Sequence, residues 1–350
     1  MSKILNVLIV ENNETDILSY LDVIKTINRE QFGEFEIKPV IKETKEGGLE
    51  ALDDNSWSAA FIDLKLSTGD ILNSDEGNEI IREIYHKKRF PIYVLTNTPG
   101  EVSYEFKESL FLKIASKTDV DYHEVFCEVI KIYKTGIINI IGRTGLIEKM
   151  LDEIFWNNIS QTIEEWFLEI NTEKQLLRFT ISNLQEYLEL SEAGDFDVYF
   201  PTETYIRPFN IKKFPFTGDI IKQKNDDSYW IVLTPACDLA TDSSRQKPKA
   251  KHITISKIYP FEKIYNGRTE EQIIKLKVNN LDLKYHYLPQ SMLFTGGFIN
   301  FQEIQSIPLS TFLDGESISY LCVVAQSFRK DIISRFSNYF ARQGQPSFST

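Results

Sequence analysis

A chain of 350 residues with 42% hydrophobic content can bury two or three separate cores, which excludes a minimal domain that needs disulfide or metal staples. Its 51 acidic residues against 39 basic ones give a net charge of −12, a balance that repels a phosphate backbone and argues against nucleic acid as a partner. The cysteines Cys127, Cys237 and Cys322 are odd in number and far apart, the pattern of reduced thiols. Residues 1–6 lack the apolar core of a signal peptide and no apolar run reaches membrane-spanning length, so a cytoplasmic protein is expected.

Residues 4–10 are a β-rich apolar run that stops at Glu11-Asn12-Asn13. Residues 14–28 then place Ile17, Leu18, Leu21, Ile24 and Ile27 at roughly helical spacing, the second half of a βα unit. Residues 35–40 alternate like an outer strand, and residues 47–53 read as a short helix. Residues 59–64 form a buried strand that stops at the single carboxylate of Asp63. Residues 67–75 are a polar stretch, and a helical pattern resumes over 77–86. Strands at 91–95 and 110–115 end at Thr96 and at Ser116-Lys117, and residues 122–133 close the unit as a helix. Five strands alternating with five helices predict a doubly wound parallel sheet.

Taken alone, Asp63 reads as a turn residue, because Asp favours turns. Its company changes that reading: in a sheet of this topology the strand ends gather Glu11, Asn12, Thr96 and Lys117 around it. The combination resembles the receiver domain of two-component response regulators over about residues 1–135. The resemblance implies a flavodoxin-like fold in which Asp63 accepts a phosphoryl group from a sensor histidine kinase. It implies that Thr96 is the switch hydroxyl and Lys117 the phosphoryl-pairing base. It further implies Mg²⁺ as cofactor, held by Glu11, Asn12, Asp63 and the backbone carbonyl of Lys65. Such a domain is a self-phosphorylating and self-dephosphorylating phosphoacceptor rather than a turnover enzyme. Three departures stand out. Asn12 replaces the second acid after the first strand, Thr118 rather than proline follows Lys117, and residues 67–75 lengthen the loop after Asp63. Asp53, Asp54, Asp70 and Asp75 read as solvated loop charges.

Residues 136–195 read as a helical connector. Over 145–169, Leu146, Met150, Ile154, Phe155, Ile159, Ile163, Trp166 and Phe167 recur at helical steps, and a second helix spans 173–191. These apolar faces predict a hairpin packed within the chain, with a homodimer through the same faces as the alternative. From residue 196 the texture becomes β-rich, with strands expected at 217–221, 228–234 and 297–307 of a small barrel. The pattern resembles the SH3-like barrel of the MazF and PemK toxins, without their catalytic residues. Thr234-Pro235-Ala236-Cys237-Asp238-Leu239 resembles a Cys-Asp-Leu motif of modules from prokaryotic defence loci. Cys237 and Asp238 are therefore candidate site residues, with His252, His286 and Cys322 as completing groups, although a structural cysteine is the commoner case. His286 sits in an aromatic-rich strand, Tyr285-His286-Tyr287, and residues from Phe328 onward read as an amphipathic helix that runs into Gly344-Gln345-Pro346.

The functional expectation is a response regulator: a receiver at 1–135, a connector at 136–195 and a β-rich output or partner-binding module at 196–350. The resemblances place it in anti-phage defence, with a downstream protein effector as a further partner. Two rivals are a receiver-gated ribonuclease or thiol hydrolase in residues 196–350, and an inert receiver-like adaptor.

Overall fold

The computed structural model describes residues 3–30, 34–54, 56–66, 75–167, 173–188, 198–207, 214–241, 246–279 and 281–342. The chain divides into two compact units, Met1–Phe196 and Asp197–Thr350. In the first, the strands β1 (Lys3–Val10), β2 (Phe35–Lys42), β3 (Trp57–Ile62), β4 (Ile92–Thr96) and β5 (Leu112–Ser116) form one sheet in the order β2-β1-β3-β4-β5. Every pairing is parallel, and this order is the flavodoxin-like one, with its switch point between β1 and β3. Leu8, Val10, Ala60, Ile62 and Val94 pack on the side of α2 (Lys45–Ala51) and α3 (Asp75–Lys87). Leu5, Val7, Ile9, Phe61, Tyr93 and Leu95 pack on the side of α1 (Glu14–Glu30) and α4 (Tyr122–Lys134). Burial on both faces is why the strands read as continuous apolar runs.

One expectation needs correcting. Between β4 and β5, residues 97–111 hold a single 3₁₀ turn, Pro99–Glu101, where the alternation of five strands with five helices implied a fifth helix besides the four given ranges. Pro99 starts the turn, and Val102 leaves it in an extended conformation at φ −66°, ψ 134°, so a helix cannot propagate. The loop is instead tied to α3. Asn78 Nδ2 donates to the Glu101 carbonyl at 3.1 Å, and Ser103 N donates back to Asn78 Oδ1 at 3.0 Å. Phe106 then anchors the loop in the core.

Beyond α4 follow α5 (Ile137–Ile141) and α6 (Leu146–Ile154). A π turn at Phe155–Ile159, α7 (Ser160–Thr162) and a 3₁₀ turn at Ile163–Trp166 continue the helical path, and α8 (Glu173–Tyr187) completes it. Asn158 donates to Asn183 Oδ1 at 2.9 Å and Trp166 meets Phe179 at 5.8 Å between ring centroids, so the two stretches pair within the chain. The expected extension at 67–74 and the helix ends at 168–172 and 189–191 lie outside the described residues.

The second unit is β-rich, as its texture implies. Seven strands, β6 (Tyr205–Ile206), β7 (Asp219–Gln223), β8 (Tyr229–Val232), β9 (His252–Tyr259), β10 (Tyr285–Leu288), β11 (Gly297–Pro308) and β12 (Ile318–Val324), form an antiparallel sheet. Their order is β10-β11-β9-β8-β7-β12-β6. The sheet is strongly curved: Tyr205 on the β6 edge donates its hydroxyl to the carbonyl of Pro289, one residue past the β10 edge, at 2.7 Å. A bulge in β11 between Asn300 and Ile304 aids this bend. Gly297 has φ 148°, and a Cβ there would stand 2.4 Å from the Tyr259 carbonyl, so only glycine lets β11 approach β9 at that point. The helix α13 (Gln326–Ala341) covers one face through Ile332, Phe328, Ile333 and Phe336. The opposite face packs against Leu239 of α9 (Ala236–Leu239) and Phe312 of α12 (Leu309–Leu313). Two further helices, α10 (Phe261–Tyr265) and α11 (Glu270–Lys277), bury Ile264 and Leu276 against Phe298. The stretch Gly344-Gln345-Pro346 lies outside the described residues.

The first turn of α3 rests on the segment that carries Asp63. A Cβ on Gly77 would stand 2.5 Å from both the Asp63 carbonyl and the Leu64 Cα. Gly77→Ala is expected to cost about 1–3 kcal/mol by forcing helix and segment apart. Urea unfolding of the two proteins measures it.

Candidate functional site

The sheet ladders extend one residue past the strands and place the side chains that follow. Glu11 N donates to the Lys42 carbonyl at 2.9 Å, Asp63 N to the Val10 carbonyl at 2.9 Å, and Lys117 N to the Thr96 carbonyl at 3.2 Å. The ends of β1, β3 and β5 are thus each locked in register with a neighbouring strand, and their side chains converge. Lys117 Nζ lies 2.6 Å from Glu11 Oε2, 2.9 Å from Asp63 Oδ2 and 2.7 Å from Asp16 Oδ2. The second oxygen of two of these carboxylates is also held: Glu11 Oε1 accepts from Asn13 N at 2.9 Å, and Asp63 Oδ1 from Leu64 N at 2.7 Å.

This pocket is nearly dry, with Glu11 at 1% and Lys117 at 6% side-chain exposure. Burial raises the Glu11 carboxyl above its ordinary value, and the hydrogen bond from Lys117 only partly offsets that. Burial alone would lower Lys117, but hydrogen bonds to Asp16 and Glu11 and the charge of Asp63 outweigh it and raise the ammonium above its usual range. Three carboxylates around one ammonium leave two formal negative charges uncompensated, which suits a divalent cation with hard oxygen ligands. Among the described residues no His, Cys, Asp or Glu cluster is already arranged as a metal cage.

The other expected residues fall as follows. Asn12 donates its Nδ2 to the Leu66 carbonyl at 2.8 Å, so its carbonyl oxygen is the end left for a cation. Lys65 sends its ammonium to Glu101 at 3.1 Å, a link between the Asp63 segment and the β4–β5 loop. Thr96 is buried at the end of β4, and its hydroxyl accepts from Thr98 N at 3.4 Å. Thr98 Oγ1 is itself buried and has no hydrogen-bond partner among the described residues, so a second hydroxyl stands at this rim. Sequence reasoning missed Asp16. It lies in the first turn of α1, within a stretch read only for its apolar face.

In the second unit, Cys237 is exposed on the four-residue α9, and Asp238 accepts from Lys249 N and Ala250 N through its backbone carbonyl. His252 is exposed on β9, while His286 is buried on β10 and Cys322 on β12. Burial, then the charge of Asp219, pushes the Cys322 thiol up to about 12, as for an inert core thiol.

A flavodoxin-like α/β unit with an acidic, lysine-bridged pocket at the carboxyl ends of its strands is therefore the class of domain that the first unit presents. No protein-family profile matches the chain, and no curated protein does. Among solved structures, a CheY-like receiver domain protein from Methanospirillum hungatei JF-1 is similar over 38% of this chain and 96% of that one, at 18% identity and a TM-score of 0.27. The receiver domain of a sensor histidine kinase from Pseudomonas aeruginosa PAO1, with a magnesium ion in its active site cleft, is similar over 37% of this chain and 97% of that one. Its identity is 14% and its TM-score 0.28. A chain from the complex of the CheA3 P1 domain with CheY6 from R. sphaeroides covers 30% of this chain and 72% of its own length, at 20% identity and a TM-score of 0.21. At such scores these likenesses add no weight of their own; strand order and strand-end chemistry define the class.

Removing the ammonium would leave Glu11, Asp16 and Asp63 facing one another. Lys117→Met is expected to destabilise the chain at pH 7 by about 3–5 kcal/mol, the scale for breaking a buried pair. The deficit should shrink on acidification. Without the lysine the folded state binds more protons than the unfolded one, so stability falls as pH rises through the carboxylate range. Unfolding curves of both proteins at pH 5 and pH 7 measure the two effects.

Proposed function

We propose that residues 1–135 act as a receiver that takes a phosphoryl group onto Asp63 from a sensor histidine kinase. The observation that supports this most directly is the Lys117 ammonium 2.9 Å from Asp63 Oδ2, inside a pocket with an excess of carboxylate. Asp63 Oδ attacks the phosphorus, the new O–P bond forms as the kinase's N–P bond breaks, and the imidazole leaves with the electron pair. Lys117 then exchanges carboxylate partners for phosphoryl oxygens, and the Thr96 hydroxyl supplies a second hydrogen bond to them. Glu11, Asn12, Asp63 and the carbonyl of Lys65 would hold Mg²⁺, which when bound neutralises charge between nucleophile and phosphoryl group. Asp16 adds the negative charge that Asn12 lacks.

In this reading residues 136–195 connect the receiver to residues 196–350, which serve as the output or partner-binding module. The Cys-Asp-Leu stretch and the MazF-like pattern are the basis for an anti-phage setting and a downstream protein effector. No helix among the described residues is long and apolar enough to cross a membrane.

Acetyl phosphate with Mg²⁺ is expected to give a base-labile phosphoprotein, and Asp63→Asn to abolish the label; an unlabelled wild-type chain, with this donor and with kinase alike, would sink the proposal. Asn12→Asp is expected to tighten Mg²⁺ binding about tenfold by restoring the acid, as read by calorimetric titration.

A further inference from the structure

The second unit contains a cavity of about 360 Å³, within the size range of small-ligand pockets, between the start of α13, the edge strand β10 and residues 199–204. Its walls include Tyr199, Phe200 and Phe328, and the rings of Tyr199 and Phe328 meet at 5.3 Å. Along β10 the side chains alternate. Tyr285 and Tyr287 turn to Phe298, with ring centroids 6.3 and 5.5 Å away, which sends His286 to the opposite face beneath α13.

His286 is 5% exposed, and its Nδ1 is buried with no hydrogen-bond partner among the described residues. Buried polar atoms are ordinarily paired, so this nitrogen calls for a partner that the described residues do not supply. Asp331 Oδ2, on α13, lines the same cavity 3.7 Å away, beyond hydrogen-bond reach. Burial, then the charge of Arg335, lowers the imidazole to about 3, so the ring is neutral near pH 7. In the Nε2–H tautomer Nδ1 accepts, as does the Asp331 carboxylate. The cations nearby are only in part engaged elsewhere, since Arg335 Nε is buried with no hydrogen-bond partner among the described residues. Arg335 donates to the carbonyls of Asn279 and Tyr285, and Lys277 sits 5.9 Å over the ring of Tyr265.

An unpaired imidazole nitrogen, an acceptor in the Nε2–H tautomer, and the Asp331 carboxylate therefore face one gap between aromatic walls. We propose that this cavity binds a small planar amine or amidine, of the arylamidine or aminoheterocycle class. Its N–H groups bridge His286 Nδ1 and Asp331 while its ring lies among Tyr199, Phe200 and Phe328. An anionic ligand would meet the Asp331 carboxylate, and an ether or ester would bring acceptors to acceptors.

Benzamidine is the probe, titrated into the full chain by calorimetry and followed by ¹⁵N NMR of the chain's four histidines. Saturable one-to-one binding with a shift of the His286 ring nitrogens is expected, and no binding of benzoate. Asp331→Asn, at a side chain 60% exposed and so tolerant of exchange, should weaken benzamidine about tenfold through loss of a charge-assisted contact. His286→Phe should abolish the bridged mode. Absence of saturable binding, unaltered affinity in Asp331→Asn, or binding that leaves the His286 resonances in place would overturn the proposal and make an ordered water the sole partner of Nδ1.

Discussion

One ammonium joins four segments of the first unit. Lys117 reaches Glu11 after β1, Asp16 in α1 and Asp63 after β3, from its own place after β5. Glu11 and Asp63 are liabilities in so dry a pocket, Asp16 stands at its partly exposed rim, and the same cation serves all three. The arrangement holds because the strand ends cannot slide: the ladder bonds from Glu11, Asp63 and Lys117 continue the sheet for one more residue. Electrostatics and register thus depend on each other. A slip of one residue in β3 would carry Asp63 away from the lysine and turn the apolar alternation of Ala60, Phe61 and Ile62 inside out.

The same pocket draws its negative charge from more than one kind of element. Asn12 spends its amide on the Leu66 carbonyl, which ties the β1 end to the segment after Asp63. A third acid, Asp16, is contributed by a helix rather than by a strand end.

Much of this was legible because buried parallel strands announce themselves. The runs before Glu11, Asp63 and Thr96 are apolar on both faces, so their first polar residues mark the rim. Asp16 was hidden because an acid on the polar side of an amphipathic helix looks like every other solvated acid. Its distance from Glu11, little more than one helical turn, was the available signal. The helix expected between β4 and β5 came from the regularity of the topology, whereas Pro99, Gly100 and the lack of apolar spacing beyond them spoke against it. In the second unit β7, β8 and β11 were readable from local texture. The seven-strand order was not, because it is fixed by contacts far apart in sequence, such as Tyr205 with Pro289. The strand setting of His286 was readable from its aromatic neighbours, but its burial and its unpaired nitrogen depend on where α13 lies.

The loop in place of a helix between β4 and β5 has a consequence for recognition. A helix offers neighbours a generic ridge, shared in outline by every protein that has one. Here that side of the sheet carries a shape written by individual side chains, with Asn78 clasping Glu101 and Ser103, Arg82 holding Glu105, and Tyr104 standing free in solvent. A partner that docked on this face would have to match individual side chains rather than a repeating ridge.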